Sequence, residues 1–309
     1  MAGIMSFSHA VGYRGKAAVG GATLLCTGGN ISLNQDPIMS GGVWGAGYQN
    51  AAPIAYAFNY LSLEGSCNFE WVVPKSGGTS TTVWSALKKF AITDRTTATS
   101  ISLLPDGKNG FSGDGWCSSL SFEASEGAAL TGSFNFKGDP SDEVGGIIAS
   151  GEGDTSKKGT GTPVESGLVG AVLIPYWQTL VQSKKASETT YSNMSNIINW
   201  SCSYNSDLQV LKCCNYQATA PIAPDYILCG EMSGEGSYTV FTIKGDFNPK
   251  SYHEVKGLSF KIGDAGSVTI AKVLVSSGST SMTTGASYVT CDFSFTAIGD
   301  GVNPILQMS

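Results

Sequence analysis

The chain has 309 residues, enough for about two domains, and only 14% of them are charged, against roughly 25% in an ordinary soluble domain. Its net charge is −6 and its adjacent basic residues are isolated pairs, Lys88-Lys89, Lys157-Lys158 and Lys184-Lys185. That pattern excludes tight binding to a phosphate backbone, because little counterion release is available to drive it. No apolar run reaches the ~18 residues of a membrane helix. Residues 1–21 carry Arg14 and Lys16 but no continuous apolar core, so no secretory signal is expected and the default origin is cytoplasmic. Low charge with 40 glycines suits a surface that ends against copies of itself. It is also ordinary for a Gly/Ser/Thr-rich β-protein.

In chain order, strand patterns dominate. Residues 1–19 read as an N-terminal arm. Ala22–Cys26 and Asn30–Leu33 read as short strands about a turn at Gly28-Gly29. Tyr60–Val73 alternates through Leu61, Leu63, Cys67, Phe69 and Trp71, with Gly65 as a bulge or bend. Thr82–Phe90 sets Val83, Trp84, Leu87 and Phe90 at helical spacing, with hydroxyl residues available as N-cap and Lys88-Lys89 in the last turn. Ser100–Leu104 is a strand closed by the Pro105-Asp106-Gly107 turn. Trp116–Glu123 and Leu130–Lys137 form a hairpin about Ser125-Glu126-Gly127. Residues 140–166 are a linker, polar and glycine-rich over 151–162. Beyond it, Leu168–Ile174, Ile197–Tyr204, Leu208–Cys214, Tyr226–Cys229, Ser237–Gly245, Ser259–Ile262, Ser267–Val275 and Tyr288–Ala297 read as strands. Ser276–Gly285 reads as a Ser/Thr/Gly loop, and 301–309 as a tail.

The most informative pattern is a repeat. Tyr48-Gln49-Asn50-Ala51-Ala52-Pro53-Ile54-Ala55 returns as Tyr216-Gln217-Ala218-Thr219-Ala220-Pro221-Ile222-Ala223, with six of eight residues identical. Collinear echoes flank it: Asn30-Ile31-Ser32 with Asn199-Trp200-Ser201, Glu64-Gly65-Ser66 with Glu235-Gly236-Ser237, Leu120-Ser121-Phe122-Glu123 with Leu258-Ser259-Phe260-Lys261, and Phe134-Asn135-Phe136 with Phe293-Ser294-Phe295. The period is far longer than the roughly 20–50 residues of a solenoid, and each copy is long enough to fold around its own core. The expected layout is two tandem β-sandwich domains, 20–139 and 167–300. A helix flanks at least the first.

Chemistry is sparse. The eight cysteines (26, 67, 117, 202, 213, 214, 229, 291) contain no CxxC, and only two histidines are present, so no metal site is expected. His9 and His253 stand near no nucleophile motif, and no G-x-S-x-G, Walker or dinucleotide fingerprint occurs. No catalytic residue, cofactor or metal is assigned, and the chain is expected not to be an enzyme. Glu64 and Glu235 are the best carboxylates for a glycoside hydrolase, but each precedes Gly-Ser at a bend. Cys213 and Cys214 are candidates to cross-link neighbouring subunits; the other thiols read as reduced core residues. Residues 34–47, rich in glycine and holding Met39, Val43 and Trp44, read as a loop presenting apolar residues to a partner.

The Gly-Ser strand ends, the helix that follows the first, and the aromatic hairpins (Trp116–Glu123 with Leu130–Lys137; Leu258–Ile262 with Tyr288–Ala297) together resemble the tail-tube proteins of tailed bacteriophages. The resemblance covers about residues 20–139 and 168–300. It implies a structural virion protein whose domains pair edge to edge in rings, and whose rings stack into a tube through which DNA passes without specific binding. A duplicated chain would then form homotrimers imitating hexamers. It implies other tail proteins as partners (tape measure, baseplate, terminator, a sheath in contractile tails), no membrane, and assembly in the host cytoplasm. Met39, Val43, Trp44, Tyr48, Pro53, Tyr216 and Pro221 become candidate subunit or ring-stacking contacts. The competing readings are a two-domain carbohydrate-binding adhesin, with Trp44, Tyr48, Tyr216 and Tyr226 as sugar-stacking residues, and a baseplate or tail-terminator ring.

Overall fold

The computed structural model describes residues 16–39, 56–73, 80–93, 97–104, 111–138, 172–211, 226–243, 254–281, 288–299 and 304–309. Strands dominate, as the two-residue periodicity requires. The first half contains β1 (Lys16–Val19), β2 (Ala22–Met39), β3 (Tyr56–Glu70), β4 (Val72–Val73), β5 (Thr99–Leu104), β6 (Phe111–Ser125) and β7 (Thr131–Gly138). Helix α1 (Ser80–Lys88) continues into a π-helical turn over Lys89–Thr93. The second half contains β8 (Val172–Leu173), a 3-10 turn (Tyr176–Gln178), β9 (Thr179–Lys185), β10 (Ser192–Asn193), β11 (Ile197–Leu211), β12 (Tyr226–Ile243), β13 (Val255–Ile262), β14 (Gly266–Ile270), β15 (Val273–Ser281), β16 (Tyr288–Ala297) and β17 (Gln307–Met308).

All the pairings are antiparallel, and the same circuit runs twice. In the first half the order β1-β2-β3-β7-β6-β5 returns to β1. In the second half β9 pairs with β10, and the chain passes from β10 into β11. The order β11-β12-β16-β15 follows, and β14, which precedes β15, leads back through β13 to β9. Strand β2 thus corresponds to β10 plus β11, and β6 to β14 plus β15. The break between β10 and β11 falls at Asn196, whose φ is 67°. Strand β2 has only a bulge at the corresponding place, between Cys26 and Gly28. A second bulge falls at Asp36 in β2 and at Asp207 in β11.

Side chains match where the backbones do. Ser32 Oγ donates to the Glu64 carbonyl at 3.4 Å, and Ser203 Oγ to the Glu235 carbonyl at 3.2 Å. Ser66 Oγ bonds Asn30 Oδ1 at 2.8 Å, and Ser201 Oγ bonds Ser237 Oγ at 2.9 Å. Gly65 lies opposite Phe136 and Gly236 opposite Phe295. In each case the ring covers the glycine, and a Cβ on Gly65 would stand 2.5 Å from Phe136 Cε1.

The core is aromatic. Along β3, Leu63, Cys67 and Phe69 point inward while Glu64, Ser66, Asn68 and Glu70 point outward. Phe69, Trp71, Trp84, Phe122 and Phe134 form one cluster, with Trp71 and Trp84 ring centroids 5.9 Å apart. Each such side chain contributes about 1.5–3 kcal/mol on burial. Trp200, Tyr238, Phe260, Phe293 and Phe295 form the second, with Trp200 and Phe260 centroids 4.8 Å apart. The halves are tied together. Trp84 of α1 donates its indole N–H to the Ser309 carbonyl at 3.0 Å, over Gly266 of β14. Ile174 exchanges backbone bonds with Trp71 and Leu130.

Several sequence boundaries change. Gly28-Gly29 is no turn; after a bulge at Thr27, β2 runs on with Gly28 opposite Asn68 and Gly29 opposite Cys67. Lys16–Val19 belongs to the fold as β1 rather than to the arm, since Ala17 and Val19 are fully buried between β2 and β5. Residues 307–308 are a strand rather than a tail, because Leu306 and Met308 fill the core beside β14. Ser276–Ser281 is strand rather than loop. Leu258–Lys261 does not pair with Tyr288–Ala297; it lies in β13, at the place β5 holds in the first half. The echo of Asn30-Ile31-Ser32 at Asn199 is two residues out of step, since the hairpin pairings align it with Ser201-Cys202-Ser203. Residues 244–253 between β12 and β13 lie outside the described residues, as do residues 1–15 of the arm and the whole 140–166 linker.

Gly65→Val is expected to lower unfolding free energy by about 1–3 kcal/mol, because the new side chain overpacks the Phe136 ring. The urea denaturation midpoint measures it, and Gly236→Val should behave alike against Phe295.

Candidate functional site

Through the β6–β7 pairing, eight strands form one continuous run, β2-β3-β7-β6-β11-β12-β16-β15. The two halves meet within it at β6 and β11, in unbroken register from Ser119↔Asn205 to Ser125↔Asn199. The length of β6 makes this possible. On one edge its first residues pair with β5 and its last with β11, while β7 occupies the other edge. The Glu126 backbone N–H donates to Asn199 Oδ1 at 3.0 Å and locks the end of the joint.

The run ends in two edges that have no strand partner among the described residues. Among the described residues, β15 pairs only with β16, and Ser276–Ser281 is exposed throughout. Strand β2 pairs with β1 only over Ala22–Leu24, so from Leu25 onward its second edge has no strand partner among the described residues. These two edges are the equivalents of the two that meet at the joint: β15 stands where β6 does, and β2 where β11 does.

One face of the run is polar. Asn30, Ser32, Glu64, Ser66, Asn68, Ser121, Glu123, Ser133, Asn135, Ser201, Ser203, Asp207, Glu235, Ser237, Asp292 and Ser294 alternate with the core residues. Its charges include Glu64, Glu70, Asp114, Glu123, Asp207, Glu231, Glu235 and Asp292, with Lys137 among them. Lys137 pairs with Glu64 at 3.4 Å, and Asp292 accepts from Thr239 Oγ1 at 2.6 Å. Over β2, β3, β6 and β7 the face is hollowed into a cleft of about 360 Å³ lined by Asn30, Ser32, Glu64, Ser66, Asn135 and Lys137.

Glu64 and Glu235 therefore occupy equivalent places on one open face, one beside Lys137 and the other opposite Thr296. They do not converge on a site. Among the described residues no group of three His, Cys, Asp or Glu could hold a metal ion. Met39 ends β2, its backbone opposite Tyr56. Val43, Trp44, Tyr48, Pro53, Tyr216, Pro221, Cys213 and Cys214 lie outside the described residues. Sequence reasoning missed the β15 edge because a Ser/Thr/Gly run has no apolar alternation. The usable signal was the Phe-x-Phe repeat: aligning β7 with β16 places Ser277–Ser281 on Ser119–Glu123.

No family model matches the chain, and no curated protein matches it. Among solved structures, it is similar to a chain in the tail of an empty gene transfer agent particle, with 12% identity and a TM-score of 0.34 over 43% of this chain and 96% of that one. It is similar to a chain of a native gene transfer agent virion, with 12% identity and a TM-score of 0.32 over 43% and 96%. A third is the Dit protein of phage SPP1, described as the hub of an adsorption apparatus, with 10% identity and a TM-score of 0.25 over 91% and 98%. Overlays at these scores carry no assignment.

Asn199→Ala is expected to cost about 1 kcal/mol of stability through loss of the bond to the Glu126 N–H. Faster hydrogen exchange confined to residues 119–126 and 199–205 would show that the joint itself has loosened.

Proposed function

We propose that the chain is a non-enzymatic structural subunit of a phage tail, made of two copies of one domain, which assembles with copies of itself through its two unpaired strand edges. The observation that carries this reading is the β6–β11 joint. It is an edge-to-edge contact of the kind that the β15 and β2 edges can repeat between chains. An unpaired edge is a liability that closure into a ring removes. Transferring the joint's register sets Ser279 of one copy opposite Ser32 of the next, Ser277 opposite Asn34 and Ser281 opposite Asn30. Each contact is heterologous, so a rotation that closes gives a ring. Three copies would imitate a six-fold ring, as the sequence resemblance to tail-tube proteins implies.

In such a ring the polar face lines the lumen. Its carboxylates repel DNA and let it pass, and the core aromatics face away. The segments leading out of the β2–β3 and β11–β12 hairpins, with Met39, Val43, Trp44, Tyr48, Pro53, Tyr216 and Pro221, are the proposed contacts between stacked rings. Cys213 and Cys214, between β11 and β12 in the sequence, are candidates for links between subunits. The other partners are further tail components, and the location is the virion tail.

Electron microscopy of the purified chain across a concentration series, with mass in solution, tests the assembly. Hollow tubes support a tube subunit, and single rings that never stack support a baseplate or terminator ring instead. Monomers at every concentration would overturn self-assembly. In a chain also carrying Cys213→Ser and Cys214→Ser, Ser32→Cys combined with Ser279→Cys is expected to give covalent oligomers on mild oxidation of assembled particles, whereas neither single addition does. Particles that form without that link would sink the register. Trp44→Ala should leave rings intact and abolish stacking; tubes of normal length would remove Trp44 from the contact.

A further inference from the structure

We propose that Cys26 and Cys67 are a redox-active dithiol that closes to a disulfide between β2 and β3. The two sulfurs stand 3.7 Å apart. The arrangement is built by the backbone. Cys26 lies opposite Phe69, the bulge follows it, and Gly29 lies opposite Cys67. A Cβ on Gly29 would stand 2.5 Å from the Ser66 carbonyl, so glycine is required for β2 to hold this register against β3 after the bulge.

The two thiols have different roles. Cys26 is half-buried, while Cys67 is fully buried. The Cys67 S–H donates to Cys26 Sγ, and that bond holds the Cys26 thiol down to about 7. The same bond and burial push the Cys67 thiol up. Cys26 is therefore the attacking thiolate and Cys67 the resolving thiol. Cys202, fully buried and pushed up to about 12 by desolvation, shows the inert alternative.

The co-reactant is a small-molecule disulfide. The Cys26 thiolate attacks one of its sulfurs, a new S–S bond forms, and one small thiolate leaves. Cys67 then attacks Cys26 Sγ and expels the second small thiolate, which takes up the Cys67 proton. Two protein thiols are oxidised and one small disulfide is reduced to two thiols. This pair has no counterpart in the second half, where Tyr238 stands at the place of Cys67, and the inference does not depend on the tail reading.

The test incubates the folded full-length chain with glutathione disulfide, quenches with acid, unfolds it in denaturant with excess alkylating agent so that every remaining thiol is blocked, then digests and maps the peptides by mass. The expected product is a peptide carrying Cys26 joined to one carrying Cys67, lighter by two hydrogens and reversed by reductant. Recovery of both residues alkylated would overturn the proposal, as would a link from either one to another cysteine. In Cys67→Ser, with folding checked by circular dichroism, the glutathione adduct should accumulate on Cys26. In the wild-type chain that adduct should not persist. Equal persistence in both would eliminate Cys67 as the resolving thiol.

Discussion

A β-strand has two edges, and each must be paired, covered or left exposed. The structure is organised around how the 15-residue β6 meets that constraint. One edge serves β7, and the other is divided between β5 and β11. The division closes the circuit of the first half and, with the same strand, carries its sheet into the second. In the second half β14 and β15 divide the same task but β15 finds no further strand among the described residues. The proposed assembly rests on the asymmetry between one edge that is used and one that has no strand partner among the described residues.

Packing supports the same arrangement. The shared run has one aromatic face and one polar face, so it cannot reverse its register without exposing phenylalanines and burying carboxylates. Gly65 and Gly236 let Phe136 and Phe295 lie flat across the neighbouring strand. Trp84 then joins the first core to the C-terminal strand of the second half. The two halves are alike in strand order but not independent in contact.

Sequence and structure agree where pattern is local. The alternation of Leu63, Cys67, Phe69 and Trp71, the hairpin about Gly127, and the stripe of Trp84, Leu87 and Phe90 were all legible, because each depends on neighbours in the chain. Weak alternation concealed β1, β9 and β15. Lys16–Val19 is four residues long, and Ser276–Ser281 has no apolar side. Their strand character comes from a partner's backbone, which hydrogen-bonds whatever the side chains are. The candidate site was less legible still, since a free edge is a property of what is missing beside a strand.

The sequence by itself determined the β class, the repeat, the helix and the lack of a nucleic-acid-binding charge pattern, since composition and periodicity carry all four. Only tertiary structure decided that Glu64 and Glu235, already matched by the repeat, lie on one open face, that Asn30 aligns with Ser201, and that β6 joins β11 while β15 has no further strand partner among the described residues. Those facts depend on which strands lie side by side, and hydrogen bonds between distant backbones leave no periodic trace in either strand's own sequence.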